Sequence, residues 1–322
     1  MKIGIIGAGQ LGRSHALRWR QLGATVDAVY DTVRPSAERL AADVDGTVVD
    51  SVEELIRRVD VVDVNTPPTA HREPPVAALQ AGRPVVCEKP LARNLADGRA
   101  MVEASEATGT PLYVAHVVRF FPEYNHLHSL VANGAIGKPG VYRSSRLGTY
   151  PQWGGWFADE AESGGVILDV MIHDFDFARW CCGEVTRIFV RRRRWAGPPP
   201  GEHAFALLRF AGGAIGHIEG GWNRPRGIWT TKIEIAGDGG LVEVDNSAPP
   251  LALHLHSGNR PPLPVTEDDP YLIELGHFMD CLEGRAQPIV TARDALAALE
   301  ISLAGMESAR TGRAVTLSHG EV

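Results

Sequence analysis

The stretch KIGIIGAGQLGRSHALRWRQLG, residues 2–23, decides the fold of the first part of this 322-residue chain. Its apolar run is followed at once by glycines at positions 7, 9 and 12 and then by a helical pattern. In such a strand, turn and helix, the first glycine permits a tight turn, the second lets the backbone approach a pyrophosphate, and the third allows close helix packing. The free N–H groups at the helix N-terminus attract the same anion. The motif predicts a dinucleotide-binding turn with these cofactor residues: Gly7, Gly9, Gln10, Leu11 and Gly12.

Asp31 is the second part of this nucleotide signature and bears on the choice of cofactor. It ends the next apolar segment, TVDAVYD, 19 residues after Gly12. A carboxylate there could accept hydrogen bonds from both hydroxyl groups of an adenosine ribose. The same charge would repel the 2′-phosphate of NADP, so we predict NAD. Arg34 leaves NADP open, because its guanidinium could pair with that phosphate if the loop turned it inward. The alternative interpretation is a set of glycines that only tightens a βα turn.

The first third of the chain alternates short β-branched runs with amphipathic helical patterns. After the opening unit come the apolar segments TVDAVYD, VDVVDVNTPP, PVVCEKP and PLYVAHV, each separated from the next by a helical pattern. Apolar strands that are buried on both faces and joined by crossover helices form a parallel sheet covered by helices. The sequence therefore predicts an α/β fold, with a doubly wound Rossmann sheet in an N-terminal NAD(P)-binding domain of residues 1–119.

The remaining residues, 120–322, follow a different pattern of strands separated by short turns such as AGPPPGE, AGG, GDGG and SAPP. These turns suit hairpins and meanders rather than crossovers. We therefore predict a C-terminal α+β domain with a large open, mostly antiparallel sheet, a helix after Gly164 and Gly165, and two helices from Tyr271 onward. An acidic chain usually covers an open sheet face by self-association. We expect a homodimer or homotetramer, with this domain serving substrate binding and oligomerisation.

Composition places the chain among ordinary soluble globular proteins, with 44% hydrophobic residues and a net charge of −7. That charge argues against a nucleic-acid surface, and the basic run at 191–194 is interpreted as a solvated strand end or a subunit contact. No apolar run approaches the roughly 20 residues needed to cross a membrane. A strand signal that starts at residue 2 leaves no room for a secretion signal, so a cytoplasmic location is expected. The four cysteines lack C-x-x-C spacing, and no metal site is predicted.

Polar side chains follow two strands of the predicted parallel sheet. VVDVNTPP brings Asn65, Thr66 and Pro67, and PVVCEKP brings Glu88 and Lys89. Because ligands of open parallel sheets sit at the carboxyl ends of the strands, these residues are predicted to bind the cofactor. The lysine should then point over the nicotinamide end, where its amine could hydrogen-bond a substrate oxygen. The alternative is a lysine–glutamate ion pair at a strand end.

The segment ESGGVILDVMIHDFDFARW holds a second set of polar residues. Asp169 and His173 are four residues apart, a spacing that puts them on one face of a helix. Burying these two side chains without hydrogen-bond partners would be costly, whereas a cleft facing the cofactor would leave them accessible to a ligand. Histidine titrates near neutral pH, so His173 could accept a hydroxyl proton while Asp169 binds a substrate hydroxyl or supports the imidazolium. The alternative is a satisfied core histidine.

Together these segments resemble the Gfo/Idh/MocA family, the glucose-fructose oxidoreductase and inositol dehydrogenase group. The resemblance runs through GAGQLG, NTPPTAH, CEKPLA, VRFFPEY and SGGVILDVMIHDFD and covers nearly the whole chain. It implies a Rossmann domain, an open sheet used for dimers or tetramers, and NAD or NADP as cofactor. By position, it implies catalytic roles for Lys89, Asp169 and His173. It also implies a place near the substrate cleft for Arg119 and a place among the cofactor-binding residues for His71.

The reaction implied is hydride transfer between nicotinamide and a secondary alcohol or ketone of a sugar, inositol or related polyol. Tyr150, Trp153 and Trp156 are predicted to bind the substrate, because aromatic faces suit the C–H faces of sugars, although core packing is the alternative. Ser163 replaces the first glycine often seen in the family's glycine triplet, and serine is small enough to leave the site intact. Two other functions stay open: NAD-dependent glycoside cleavage by transient oxidation, and a cofactor-binding regulator without turnover.

Overall fold

The computed structural model describes residues 1–151, 155–197, 200–247, 251–255, 258–259 and 266–317. The chain divides into two compact units: the first comprises Met1–Phe120 and Asp268–Leu296, and the second comprises Phe121–Glu267 and Ala297–Val322.

The strands are β1 (Lys2–Ile6), β2 (Thr25–Tyr30), β3 (Thr47–Val48), β4 (Val61–Val64), β5 (Val85–Glu88), β6 (Leu112–Ala115), β7 (Pro139–Gly148), β8 (Val185–Trp195), β9 (Gly201–Phe210), β10 (Ile215–Trp222), β11 (Thr230–Gly237), β12 (Gly240–Asp245), β13 (Ala252–Leu255), β14 (Gly258–Asn259) and β15 (Val315–Thr316). The helices are α1 (Gln10–Gln21), α2 (Arg34–Val44), α3 (Val52–Arg58), α4 (Glu73–Gln80), α5 (Leu95–Thr108), α6 (Pro122–Ala132), α7 (Glu160–Ser163), α8 (Gly165–Asp169), α9 (Ile172–Cys182), α10 (Pro270–Leu282) and α11 (Ala292–Thr311). None of these described helices combines the length and the apolar character needed to cross a membrane.

The first unit is built on a six-stranded sheet in the order β3-β2-β1-β4-β5-β6. All neighbouring strands run parallel. β4, β5 and β6 are buried along their whole length, as expected of strands covered by helices on both faces. The predicted doubly wound α/β fold is confirmed. The strand order reverses between β1 and β4, which is where sheets of this type bind ligands at their carboxyl ends.

The segment Asp268–Leu296 packs in the first unit, although the sequence assigns it to the second domain. Its helix α10 buries Phe278 in the core of the first unit. The Phe278 ring stacks on Tyr113 with 5.2 Å between ring centroids, and it meets the ring of Phe120 edge-on at 5.9 Å. The apolar face of α10 thus packs against residues that come much earlier in the chain. A single domain boundary in the sequence cannot assign such a late segment to the first unit. The other observed boundary lies directly after Phe120, one residue beyond the predicted one.

The second unit contains, among its described residues, a nine-stranded sheet in the order β14-β13-β12-β11-β7-β10-β9-β8-β15. β7 and β10 run parallel, and the other neighbouring strands run antiparallel. The predicted open, mostly antiparallel sheet is therefore confirmed. Along β9, buried Ala204, Ala206 and Leu208 alternate with exposed Phe205 and Leu207, so the two faces of the sheet differ in their environment.

The outward face of this sheet carries large apolar side chains. Phe205, Leu207 and Ile215 are 45%, 54% and 58% exposed, and we call these three residues the open sheet face. They lie on the neighbouring strands β9 and β10, where Leu207 is paired with His217. The His217 ring stacks on Phe205 with 5.8 Å between centroids. Several exposed apolar side chains on one face mark an interaction surface more often than isolated ones do.

Candidate active site

The turn between β1 and α1 requires glycine at two positions. Gly7 has a φ of +95°, and a Cβ atom built on it would lie 2.7 Å from the carbonyl group of Asn65. A Cβ atom on Gly12 would lie 1.8 Å from the carbonyl oxygen of Gly7. The backbone therefore makes the tight turn and the close helix approach that the sequence predicts for these two glycines.

Gly9 has the opposite environment, and it provides the test of whether a dinucleotide fits. It is the N-cap of the 12-residue helix α1, and a Cβ atom on it would meet no protein atom within 4 Å. Gly9, Gln10 and Leu11 are exposed at this helix end, where the first N–H groups of a helix lack intrahelical partners. The space beside Gly9 is therefore open to an anionic group such as a pyrophosphate, and a dinucleotide fits the residues present.

Asp31 lies directly after β2, and its carboxylate contacts both the glycine turn and the loop between β2 and α2. Its Oδ2 accepts a hydrogen bond from the Ala8 N–H and its Oδ1 accepts one from the Val33 N–H, each over 2.7 Å. These bonds hold the carboxylate beside the turn. Each oxygen has a further lone pair that can accept a ribose hydroxyl.

Arg34, the residue that leaves NADP open, is already paired with carboxylates. Its Nη1 lies 2.5 Å from Asp50 Oδ1, and its Nε lies 3.2 Å from Glu38 Oε1. Pairing of the guanidinium with two carboxylates leaves it less available to a 2′-phosphate. The charges around Asp31 therefore favour NAD.

The carboxyl end of β4 carries polar atoms that are available to a ligand. Asn65 is held by its N–H, which donates to the Ile6 carbonyl over 2.7 Å, and by its Nδ2, which donates to Asp63 Oδ1 over 2.8 Å. Within the described ranges, the buried atoms Asn65 Oδ1 and Thr66 Oγ1 have no hydrogen-bond partner. Buried polar atoms normally have one, so a bound ligand would satisfy them. Pro67 follows directly and caps a short 3-10 turn.

His71 joins the loops that follow β4 and β5. The ring is fully buried, with Nε2 2.7 Å from the Thr66 carbonyl oxygen and Nδ1 2.8 Å from the Pro90 carbonyl oxygen. Burial lowers the pKa of this imidazole, although the carbonyl contacts oppose the shift. These contacts give His71 a supporting role for both loops, and its predicted contact with the cofactor stays a prediction.

Lys89 follows β5 directly, at the carboxyl edge of the sheet. It is half-buried, its N–H donates to Glu88 Oε2 over 3.0 Å, and the Lys89–Pro90 peptide bond is cis. The Glu88 carboxylate is buried and lies 3.2 Å from His15 Nε2 through its Oε1. Burial opposes ionisation of Glu88, but His15 and then Lys89 outweigh it and hold the pKa of this carboxyl below its ordinary value.

In the second unit, the predicted single helix around Asp169 and His173 is interrupted. α8 ends at Asp169 and α9 begins at Ile172, because the Met171 N–H bonds the Val166 carbonyl oxygen, five residues back, over 2.9 Å. Val170 and Met171 nevertheless keep right-handed helical backbone angles. Along residues 163–178, all side chains are buried except those of Asp169 and His173.

Charged residues brace the glycine turn that precedes α8. A Cβ atom on Gly165 would lie 2.8 Å from both carboxylate oxygens of Glu202, which is 1% exposed. Arg192 and Arg194 project from the same side of β8 and pair with both Glu160 and Glu202. Two of the four arginines of the basic run therefore support this turn through ion pairs, Arg192 as a half-buried side chain and Arg194 as an exposed one.

Ser163 also has a defined role in this turn. Its Oγ accepts a hydrogen bond from the Gly165 N–H over 3.0 Å and donates to the Asp159 carbonyl oxygen over 3.0 Å. A glycine could make neither bond. The departure from the family's glycine triplet therefore reinforces the turn.

The aromatic residues predicted to bind substrate lie in the second unit. Tyr150 meets Trp222 edge-on with 5.6 Å between centroids, and Trp156 stacks on Phe157 at 3.8 Å. Tyr150 and Trp156 are half-buried, which leaves part of each ring accessible. Trp153 lies outside the described residues. Substrate binding by these rings stays a prediction.

Arg119 is bound within the first unit. It is 1% exposed, its Nη1 donates to the Ile289 carbonyl oxygen over 2.8 Å, and the same nitrogen lies 3.6 Å from Asp294 Oδ2. These contacts connect Arg119 to Ile289, which precedes α11, and to Asp294, which lies in its first turn. They give Arg119 a structural role, and its place at the substrate cleft stays a prediction.

The sequence interpretation missed a group of buried polar residues next to Glu88. The group contains His15 and Trp19 on α1, Asp63 on β4 and Glu274 on α10, each fully buried. A signal was present, because Asp63 interrupts the apolar strand VVDV of residues 61–64, and a charged residue in a doubly buried strand requires a partner. The partners come from other elements and are not marked by any spacing in the sequence.

Comparison with known proteins adds independent evidence. Residues 1–116 match the model of an oxidoreductase family with an NAD-binding Rossmann fold, and residues 124–243 match the GFO/IDH/MocA C-terminal domain. The chain is 31% identical over 334 residues to 1,5-anhydro-D-fructose reductase from Ensifer adhaerens, with 98% of each chain covered. It is 30% identical over 338 residues to myo-inositol 2-dehydrogenase from Thermotoga maritima, again with 98% of each covered. A solved structure of levoglucosan dehydrogenase in complex with NADH shares the fold, with a TM-score of 0.89, 22% identity and 99% of both chains covered.

The fold, the glycine turn and these matches define the class of the protein as an NAD-dependent oxidoreductase. The chain belongs to the Gfo/Idh/MocA family. Its Rossmann half carries the cofactor, in agreement with the space beside Gly9 and the carboxylate of Asp31.

Proposed function

We propose that this oxidoreductase transfers a hydride between nicotinamide and a secondary alcohol or ketone of a sugar, inositol or related polyol. The observation that carries the proposal is the burial pattern of 163–178, whose two accessible residues are the carboxylate Asp169 and the imidazole His173. An alcohol oxidation needs a base, because one proton must leave the hydroxyl group, and an imidazole beside a carboxylate can accept it. The names of the two relatives, an anhydrofructose reductase and an inositol dehydrogenase, support this substrate class.

The residues of the chain have distinct roles in the proposed reaction. When bound, NAD supplies the group that accepts the hydride. His173 accepts the hydroxyl proton at a ring nitrogen, and Asp169 binds a neighbouring hydroxyl or stabilises the imidazolium. The Lys89 amine donates a hydrogen bond to the same substrate oxygen and stabilises its negative charge. The proposal requires these residues of the two units to act on one substrate molecule.

The proposal is tested by following NADH absorbance while the protein is incubated with NAD and a panel of inositols, sugars and anhydrosugars. NADH should accumulate with at least one member of the panel. Calorimetric NAD binding without NADH formation from any member would instead support a regulator. Release of a leaving group from a glycoside without net NADH would support glycoside cleavage by transient oxidation.

We predict that Asp31→Ala weakens NAD binding and narrows the preference for NAD over NADP. A charge-assisted hydrogen bond is worth about 1.5–3 kcal/mol, which corresponds to a loss of about 10- to 100-fold in NAD affinity. Calorimetric Kd values for both cofactors check this. Glu103→Ala is the matched control, because it removes an exposed carboxylate of the same unit on α5, away from the turn and from Arg34, and should leave both Kd values unchanged. An unchanged NAD/NADP ratio in Asp31→Ala would contradict the assigned role.

We also propose that the chain forms a homodimer or homotetramer through the open sheet face. Exposed Phe205, Leu207 and Ile215 support this, because covering them removes apolar surface from water. The double variant Leu207→Glu, Ile215→Glu should shift the mass in analytical ultracentrifugation towards the monomer. Leu17→Glu, at an apolar side chain on α1 that is 37% exposed, is the control and should leave the mass unchanged. A wild-type monomer, or an unchanged mass in the double variant, would rule out this interface.

A cytoplasmic location is part of the same proposal. The four cysteines all lie within the described residues and are free thiols, the state that a reducing compartment maintains. Cell fractionation should recover the protein with cytosolic markers. Recovery from the medium or from membranes would contradict this location.

A further inference from the structure

A buried polar cluster lies next to the predicted cofactor residues of the first unit. It consists of His15, Trp19, Asp63, Glu88 and Glu274, and we call it the His15 cluster. Four of these side chains are fully buried, and Glu88 is 5% exposed. Burying carboxyl groups is costly unless each is paired or neutralised. A cluster of three carboxyl groups around one imidazole therefore needs a specific arrangement of protons.

The geometry around the imidazole indicates where these protons are. Nδ1 of His15 lies 3.1 Å from Asp63 Oδ2, and Nε2 lies 3.2 Å from Glu88 Oε1. The Nδ1 contact with Asp63 has hydrogen-bond geometry, whereas the Nε2 contact with Glu88 is an ion-pair distance without hydrogen-bond alignment. A carboxylate oxygen accepts but cannot donate when ionised. A proton on each ring nitrogen, which makes His15 an imidazolium, suits both of these contacts.

The two carboxyl groups also accept hydrogen bonds from other groups. Asp63 Oδ2 accepts a hydrogen bond from Trp19 Nε1 over 2.7 Å, and Asp63 Oδ1 accepts one from Asn65 Nδ2 over 2.8 Å. Glu88 Oε2 accepts the Lys89 N–H over 3.0 Å. Hydrogen bonds donated to a carboxylate favour its charged form.

The charges of every neighbouring element are consistent with this arrangement. Burial disfavours the charged ring, but the attraction of Asp63 on β4 and Glu88 on β5 outweighs it and raises the pKa of His15 well above its ordinary value. On α10, burial and then the charge of Glu88 raise the pKa of Glu274 well above its ordinary value. This shift favours the neutral acid form of Glu274, and neither of its carboxyl oxygens has a hydrogen-bond partner in the part of the chain that the structure describes.

Two further ionisable groups lie near the Glu88 carboxylate, and their raised pKa values favour their uncharged forms. They are the hydroxyl of Tyr271 on α10 and the thiol of Cys87 on β5. Burial, followed by the charge of Glu88, raises the pKa of each. The positive charge of His15 is thus the balancing charge for two buried carboxylates.

We propose that His15 is a positioning residue: as an imidazolium held between Asp63 and Glu88, it fixes the Lys89 backbone and the Asn65 side chain at the carboxyl edge of the sheet. Glu88 Oε2 accepts the hydrogen bond that holds the Lys89 N–H, and Asp63 Oδ1 accepts the hydrogen bond that holds the Asn65 side chain. Neither carboxylate could remain ionised and buried without the proton on the ring nitrogen that faces it. The consequence for catalysis rests on the proposed function, whereas the protonation state does not.

The first test measures the protonation state directly and needs no substrate. In the full chain labelled with ¹⁵N-histidine, NMR spectra are recorded from about pH 6 to about pH 9, a range that spans the ordinary histidine pKa of about 6.5. The imidazole whose signal vanishes in His15→Gln should keep both N–H groups throughout. If that variant does not fold, Asp63→Asn assigns the signal through its shift. Conversion of the His15 signal to a singly protonated ring near the ordinary pKa would overturn the proposal, whether or not the protein turns over substrate.

His277 provides the matched control for this measurement. It lies on α10 in the same unit, its Nε2 accepts the Ile289 N–H over 3.1 Å, and burial lowers its pKa. Its ring should therefore be singly protonated across the same pH range. His277→Gln should leave the doubly protonated signal unchanged.

The second test separates positioning from general support of the fold. Because a displacement of about 1 Å can reduce turnover by about 100-fold, His15→Gln should lower kcat by about 10- to 100-fold with little change in KM for the alcohol. Glu88→Gln should lower kcat by a similar factor. The kcat of the double variant His15→Gln, Glu88→Gln should be no lower than that of the slower single variant, because both residues act through the contact between them. Additive losses, or a loss confined to KM, would overturn the positioning role.

Discussion

Replacing His173 by alanine is expected to lower kcat by about 10²- to 10⁴-fold, the range typical of losing a positioned acid or base. The affinity for NAD should stay nearly unchanged, because the cofactor residues lie in the Rossmann half. The physical reason is that alanine cannot accept the hydroxyl proton, so water must take it from a less favourable position. Steady-state kinetics with the best substrate of the panel and a calorimetric Kd for NAD check both parts.

The control for this variant is another accessible histidine of the same unit. His126 lies on α6 and is half-buried, as His173 is. His126→Ala should keep wild-type kcat and wild-type NAD affinity. If His173→Ala retained comparable turnover, the imidazole would have no part in the reaction and the acid–base assignment would fail.

Replacing Lys89 by alanine is expected to lower kcat by about 10²- to 10³-fold, the loss typical of removing one donor that stabilises developing negative charge. The substitution keeps the Lys89 N–H that bonds Glu88, so it removes the amine and leaves the His15 cluster in place. Its effect is therefore separable from the effect of His15→Gln. The ¹⁵N-histidine spectrum of Lys89→Ala should retain the doubly protonated signal.

Two comparisons make the result for Lys89 specific. Lys89→Arg keeps the positive charge but changes its shape and reach, so it should recover only part of the lost kcat. Lys138→Ala removes an exposed lysine before β7 and should leave kcat unchanged. Wild-type turnover in Lys89→Ala would remove the amine from the mechanism while leaving NAD binding by the glycine turn intact.

Several parts of the site could be predicted because they depend on local chain geometry. A strand, a turn with glycines and a helix place Gly7 and Gly12 where a Cβ atom would meet backbone atoms. A spacing of four residues predicts that Asp169 and His173 share one side, and they are the two residues of 163–178 that are not buried, although the helix is interrupted between them. That interruption was not predictable, because it depends on a bond from Met171 to Val166 that competes with the ordinary helical pattern.

Other parts depend on contacts that the order of residues does not mark. The partners of Arg192 and Arg194 lie on α7 and β9, so a run of arginines that resembles a solvated strand end is partly internal. Arg119 was expected near the substrate, yet its guanidinium is bound to Ile289 and lies close to Asp294. In each case the partner lies on another segment of the folded chain.

The sequence by itself determined the class of fold, the glycine turn and the residues at the strand ends, because hydrophobic period and glycine spacing act within one or two elements. Only the tertiary structure decided that α10 packs in the first unit and that His15 lies between Asp63 and Glu88. Burial is the physical reason. A charged side chain removed from water must be compensated by whichever group the folded chain brings within hydrogen-bond distance, and that group is selected by packing rather than by position in the sequence.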